Sequence, residues 1–502
     1  MTAHRLRPRW RALAPVLAVV AGTFVVRGQS PEELARRQYA SGVAYLQHQQ
    51  TSEALKDFEA VQRLYPSSSV ADDALLEIAR YRLQAFDIAA AEEAITRLRK
   101  NYPASNSVPH AYVLAARATL TRRREPRDLD GALADLERVE RLFHSSTAVP
   151  EAVYEAGEVL RYAGRCAEAD ARYAAVVTAY PRSVWAARAS LGRSACMAQA
   201  PGRAFDAMLG LQRVVDVDGA SAEAAIARDW NTILDRLYFR AARGAPFAYA
   251  RPIAGPGGKL IAARALAFGP YWELLDVGEG GVSVVTAAGS LSRVIPGQDV
   301  RGAVADRRGT IVLVLKSGLL PERGPMRAVL VPRAGNEPKP LNDITAAVVL
   351  STGGWVVADR GTDAIYRFGP TLANTGLTAQ RADRLALNDR DVVAALDRQK
   401  KEIAFMAPDG RLAGKIGTRG TGWEFDNPVD IAFDPLGHLY VLDEGTGTID
   451  VFSGTMPATL LTRFTAADKS LASLRDTSAF AIDRAGRAYV YSRRAERVHV
   501  YQ

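Results

Sequence analysis

The chain has 502 residues, 48% hydrophobic and 24% charged, an ordinary globular balance for which two or three separate cores are expected, with disorder confined to the ends. Its formal charge is +9, but part of the excess lies in the first eleven positions and the rest is scattered among acidic residues, which argues against nucleic-acid binding. Only two cysteines, Cys166 and Cys196, are present, and no Cys/His spacing suits a zinc site.

Arg5, Arg7, Arg9 and Arg11 precede an apolar run over residues 12–26 that is interrupted by Pro15. A basic region followed by a hydrophobic stretch too short for a comfortable membrane span reads as a secretory signal over residues 1–28, with an uncleaved inner-membrane anchor as the alternative. No Cys follows the run, which argues against a lipid-modified N-terminus. A periplasmic or secreted location follows. In that setting Cys166 and Cys196 can pair, closing a loop of about 30 residues worth roughly 3–4 kcal/mol on the chain-entropy account; two buried free thiols are the alternative.

Residues 31–243 are rich in Ala, Arg, Glu and Leu, with apolar positions three and four apart, and predict helices throughout. A recurring ending sets the period: Leu64-Tyr65-Pro66-Ser67-Ser68, Asn101-Tyr102-Pro103-Ala104-Ser105, Leu142-Phe143-His144-Ser145-Ser146 and Ala179-Tyr180-Pro181-Arg182-Ser183. The aromatics lie 37, 41 and 37 residues apart, the interval of stacked helical hairpins. Gly42, Tyr45, Ala54, Phe58 and Pro66 recur in spacing as Gly157, Leu160, Ala169, Tyr173 and Pro181, with a later copy in Gly192, Ala204 and Met208. Small residues there let helices approach, the aromatic fills the groove between hairpins, and Pro stops the second helix. The pattern resembles the tetratricopeptide-type repeats of bacterial envelope proteins, in about five hairpins. The resemblance implies an all-α solenoid whose concave face holds a peptide or partner, with a spacer or dimerisation arm as the alternative. Thr121 to Asp128, which carries Arg122, Arg123, Arg124 and Arg127, reads as a solvated loop inserted into the third hairpin.

Residues 244–258 concentrate Gly and Pro and mark a linker to a second domain over 259–502. Within the linker, Phe247-Ala248-Tyr249-Ala250 alternates like a strand. The best-formed repeat beyond it runs from Gly417 to Phe452: a Gly-rich lead, an alternating strand, the turn Asp434-Pro435-Leu436-Gly437, a strand ending in Asp443, a Gly-rich loop and a third strand. Matching positions fall at 276, 315, 359, 397, 443 and 492, spaced by 39, 44, 38, 46 and 49 residues, which is the period of a four-stranded blade. An all-β propeller of six blades is expected, and the repeat resembles the NHL family. The third strand of the last copy ends at Tyr501, so residues 247–253 are expected to pair with 496–501 and cover the open edge.

Asp-x-x-Gly reads as tight-turn chemistry, and Asp276, Asp359, Asp397 and Asp443 as acceptors for the backbone of the following loop. Those loops and residues 417–428 are expected on one face of the ring. Trp423, Arg419, Asp443, Asp359 and Asp276 on that face are the candidate partner-binding residues. Propeller lyases and lactonases need His, Asp and Glu converging on a metal, whereas this half has only His438 and His499, neither with a partner at ligand spacing. No catalytic, cofactor or metal residue is therefore assigned. The function expected is that of a non-enzymatic interaction scaffold of the bacterial cell envelope. It takes protein partners and no nucleic acid, and touches the membrane only through an uncleaved N-terminus. A propeller-channel lyase or hydrolase is one alternative; a glycan or peptidoglycan binder using Trp272, Trp355 and Trp423 is the other.

Overall fold

A computed structural model describes residues 29–122, 126–243, 247–253, 263–286, 288–333, 336–417, 422–465 and 474–502. The expected signal at residues 1–28, together with Arg123, Arg124 and Arg419, lies outside them. Eleven helices come first: α1 Pro31–Gln47, α2 Thr51–Leu64, α3 Ala71–Gln84, α4 Ile88–Asn101, α5 Val108–Arg122, α6 Pro126–Leu142, α7 Val149–Tyr162, α8 Cys166–Ala179, α9 Val184–Ala198, α10 Ala204–Val217 and α11 Ala222–Leu234. Six four-stranded sheets follow. The chain forms two compact units, residues 1–74 and 75–502.

In the first unit Ser30 caps α1. Its hydroxyl accepts from the Glu33 N–H at 3.2 Å, the Glu33 carboxylate accepts from the Ser30 N–H at 2.8 Å, and Pro31 fits the first turn. Gly42 of α1 lies so close to α2 that a Cβ there would stand 2.7 Å from the Phe58 ring.

The second unit repeats that contact on both sides of one ring. Tyr173 of α8 is held between Gly157 of α7 and Gly192 of α9, where a Cβ would come within 2.5 and 2.6 Å of it. The recurring aromatic ending is a turn: the carbonyls of Tyr65, Tyr102, Phe143 and Tyr180 accept from the N–H groups of Ser68, Ser105, Ser146 and Ser183 at 2.8–3.0 Å. The hydroxyls of Ser105, Ser146 and Ser183 then accept from backbone N–H groups two residues on, at 2.9–3.2 Å, and start the next helix. The third hairpin carries no eight-residue loop. α5 runs to Arg122 and α6 begins at Pro126, since Pro suits a first helical turn, so most of the stretch from Thr121 to Asp128 is helical. Cys166 and Cys196 are joined in a disulfide between α8 and α9, with Cα atoms 5.4 Å apart.

Blades 1 to 5 occupy residues 265–296, 300–328, 344–378, 384–416 and 428–465, and their innermost strands neighbour one another in order around a closed ring. Blade 6 takes three strands from residues 477–501 and its outer strand from Tyr249–Ile253, antiparallel to Arg497–Tyr501. Ala248 and Gln502 extend this pairing with reciprocal backbone bonds of 2.7 and 2.8 Å. The second strand of every blade is buried along its whole length. Leu315, Asp359, Asp397, Asp443 and Ser492 each end theirs, but blade 1 departs from the expected alignment: Gly278 holds that place and Asp276 lies two residues inside the strand. The hairpin after Gly278 has two residues where those of blades 3 to 6 have four, so an equal spacing to the next strand concealed a different register.

Gly192→Ala is expected to destabilise the protein by about 1–3 kcal/mol, because Tyr173 is boxed in by two helices. That exceeds the gain of under about 1 kcal/mol from replacing a helical Gly, and it should appear as a lower urea midpoint at unchanged slope. Cys166→Ser with Cys196→Ser should cost roughly 3 kcal/mol in the same measurement, as the loop length dictates.

Candidate functional site

Three of the four carboxylates singled out in the sequence accept from backbone. Asp443 accepts from the N–H groups of Asp426 and Asn427 at 2.8 Å and of Gly445 at 3.0 Å. Asp359 accepts from the N–H of Asp343 at 3.0 Å and from the N–H and hydroxyl of Thr362 at 2.9 Å, and Asp397 from the N–H groups of Gln399 and Lys400 at 3.0 Å. In blades 3 and 5 the carboxylate therefore ties the loop after its strand to the connection preceding the blade, fixing one face of the ring. Asp276 is fully buried in mid-strand and does not join that set. Trp423 is wedged between blades 4 and 5, edge-on to Phe452 at 5.7 Å and 4.6 Å beneath the Arg463 guanidinium. Trp355 is buried in a blade core, whereas Trp272 is 44% exposed.

The Asp-x-x-Gly turns form the opposite face, and α7, α9 and α11 of the same unit dock there. Arg161 at the end of α7 pairs with Asp389 at 2.5 Å, the Tyr162 hydroxyl donates to Asp391 at 3.0 Å, and Gln199 after α9 donates to the Leu436 carbonyl. α11 runs on into a π-helical turn, Asp235–Arg240, which aims Arg236 and Leu237 into the seam. Arg236 is 2% exposed, donates to the carbonyls of Ala485 and Gly486 at 3.3 and 2.5 Å, and stacks 4.7 Å from the Phe247 ring. Burial lowers the pKa of its guanidinium. Phe247 in turn stacks on Phe464 with ring centres 4.0 Å apart. Leu211, Leu234 and Leu237 share one core with Phe247, Tyr440 and Tyr501, so the seam is packed like an interior.

His438, bland in the sequence, sits at this seam. Its Nδ1 lies 2.8 Å from Asp434, its Nε2 lies 3.3 Å from the Tyr238 hydroxyl, and the Tyr440 hydroxyl donates to Asp434 at 3.2 Å. Burial pushes Tyr238 up to about 12 and Tyr440 well above its ordinary value, so both remain protonated donors. The Asp434 partner, four residues away, was open to inspection in the sequence; the Tyr238 partner, 200 residues away, left no signal.

Several cavities lie near these elements. A chamber of 620 Å³ lies between α11 and the turns of blades 1, 4, 5 and 6. The ring channel, 380 Å³, shares Trp272, Leu387, Phe433 and Ile482 with that chamber. A groove of 1190 Å³ crosses α9 and α10 between the end of α8 and the start of α11. Among the described residues no three His, Cys, Asp or Glu gather as a metal site would require, and no helix is long and apolar enough to cross a membrane.

Residues 31–146 match the model of the YfiO family, described as an outer membrane lipoprotein. No curated protein matches the chain. Solved structures that resemble it include a streptogramin B lyase, 11% identical, over 47% of this chain and 78% of that one, with a TM-score of 0.35. The virginiamycin B lyase of Staphylococcus aureus is 12% identical over 47% and 79%, with a TM-score of 0.34. A thermophilic TPR protein of Thermus thermophilus is 17% identical over 38% and 95%, with a TM-score of 0.32.

Gly486 and Gly309 occupy the same turn position with φ near +70°, yet a Cβ on Gly486 would meet Ile233 of α11 at 2.6 Å, while on Gly309 it would find only Pro270 at 3.5 Å. Gly309→Ala is expected to cost about 1–2 kcal/mol from backbone strain alone. Gly486→Ala should cost about 1–3 kcal/mol more and should raise amide exchange in α11, which Gly309→Ala should leave unchanged.

Proposed function

We propose that the protein is a non-enzymatic interaction scaffold of the cell envelope, in which the helical arm receives a protein partner and the propeller serves as its rigid mount. The supporting observation is the groove over α9 and α10. It exposes Val184 to 73%, Val217 to 84% and Leu209 to 44%, flanked by Arg182, Arg188, Asp206 and Glu223, an apolar strip with a charged rim. Contiguous apolar surface of this kind is the usual mark of a partner interface. The exposed loop face of the propeller offers a second contact surface.

The envelope assignment rests on the basic and apolar character of residues 1–28, on the disulfide, and on the family match over residues 31–146. Of the three tryptophans of the glycan alternative, Trp355 and Trp423 are taken up by blade packing and Trp272 is 44% exposed, so that reading would rest on one ring.

The test is in-cell photo-cross-linking of the full chain from position 184 or 217, with position 377 on the propeller rim as control. A discrete protein adduct is expected from both groove positions and not from the rim, and Leu209→Glu should reduce its yield at least about tenfold, since a buried unpaired charge is costly at an interface core. Equal adduct patterns from groove and rim, or none from the groove, would overturn the proposal.

A further inference from the structure

The channel of the propeller carries a charge pattern that the scaffold reading does not use. Its wall consists of the first strands of the blades and is lined by small apolar side chains such as Ala265, Ala267, Ala346, Val348, Ala386 and Ala432. The ionisable groups on this wall, Arg301, Arg384 and Asp430, all come from the strand beginnings, at the end of the channel away from the helices. Arg384 of blade 4 reaches across the axis and donates to the carbonyl of Arg264 beside blade 1 at 2.8 Å, while its Nε lies 3.4 Å from Asp430 of blade 5. The Asp430 oxygens already accept from the N–H groups of Ile431 and Phe480 at 3.0 and 3.1 Å. Arg301 of blade 2 has a buried Nε with no hydrogen-bond partner and no carboxylate at ion-pair distance among the described residues. Among the described residues two guanidinium groups therefore face one carboxylate in a narrow apolar passage, and an uncompensated charge in such a place is costly.

The charges at the other end are paired: Asp229 with Arg484, Asp389 with Arg161 and Asp483 with Arg487, while Asp434 accepts from its own turn and lies against His438. Asp229, Asp389, Asp434 and Asp483 line the chamber under α11, with Arg484 as the one cation among the described residues of its wall, and the remainder is largely apolar, including Ile226, Trp230 and Trp272. We infer that the channel and chamber bind an amphiphilic anion: a carboxylate or phosphate head at Arg301 and Arg384, and a hydrocarbon body running toward Trp272 and α11. The guanidinium of Arg301 suits a head with two oxygens, the small side chains leave the axis open to an extended chain, and the far end, whose carboxylates are already paired or hydrogen-bonded, offers the head no comparable cation, which fixes the orientation. This assignment stands independently of the partner groove on α9 and α10.

The experiment is calorimetric titration of the full chain with decanoate, decyl phosphate and decan-1-ol, each below its aggregation limit, and with acetate and inorganic phosphate. One of the two decyl anions is expected to bind at least about tenfold more tightly than the alcohol and than either bare anion, and the stronger of the two identifies the head group. Arg301→Gln should weaken that anion at least about tenfold and leave the weak binding of the alcohol as it was. Ile226→Asp, at the far end, should also weaken it while leaving acetate unaffected. Equal affinity for alcohol and anion, undiminished binding by Arg301→Gln in a variant with the parent unfolding midpoint, or no binding of either decyl anion would each overturn the inference.

Discussion

The antiparallel pairing of Tyr249–Ile253 with Arg497–Tyr501 is the constraint on which the rest of the second unit depends. A six-bladed ring built from one continuous run of strands would end on an exposed edge, with a row of N–H and C=O groups ready to pair with another chain. Here the edge is covered by the segment that follows the helices, so closing the ring also anchors α11 within the same unit. Fourteen residues lie between Leu234 and Tyr249. Within them Arg236, Leu237, Tyr238 and Phe247 all turn into the seam. The π-helical turn is the local cost of bringing three successive side chains into contact with the blades.

Docking explains why the two faces of the ring differ. The Asp-x-x-Gly turn is first a backbone device: Asp434 and Asp483 each accept from two N–H groups of their own turn, at 2.9–3.0 Å, and the Gly supplies a left-handed conformation. In blade 6 the same Gly serves a second purpose, since the absence of a side chain at Gly486 is what allows Ile233 and Arg236 to close on the turn. Arg236 then satisfies the turn's outward carbonyls. A guanidinium suits that role because it stays charged even where burial lowers its pKa, and because its flat face can stack on Phe247 while its edge donates. The turn face is thus partly spent on helices of the same unit, while Asp359, Asp397 and Asp443 hold the loops of the opposite face.

Periodic features were the legible ones. The aromatic-x-x-Ser endings and the Gly positions that receive Phe58 and Tyr173 recur because each hairpin solves the same packing problem, and the blade period recurs for the same reason. The closing strand was legible through an argument about edges, although its first residue is Tyr249 and Phe247 is an anchor ahead of it. Asp276 was misplaced because spacing to the next strand mixes strand register with hairpin length, and only the pairing separates them. His438, Arg301 and Arg384 were illegible for a different reason. Each looks like a common polar residue beside a turn or at a strand start, and its meaning comes from partners, or from a missing partner, set by ring closure over distances of about a hundred residues or more.

The strut at Arg384 shows how far that closure determines the chemistry of the axis. Blades 1 and 4 face each other across the ring, so a side chain donating from one to the carbonyl beside the other measures the width of the channel and resists its change. A neutral side chain of similar reach could span the same gap without bringing a charge. A guanidinium brings one, and Asp430 offsets only that, because its oxygens are shared with two backbone donors. Desolvation raises the pKa of Asp430 even with Arg384 beside it, which marks a site where charge is poorly solvated and its balance matters. Arg301 then adds a second cation where stability alone called for none. A scaffold that needed its ring only as a mount would be better served by an apolar plug, and two arginines against one aspartate, among the described residues at one end of a largely apolar passage, are the feature that a bound anion would account for.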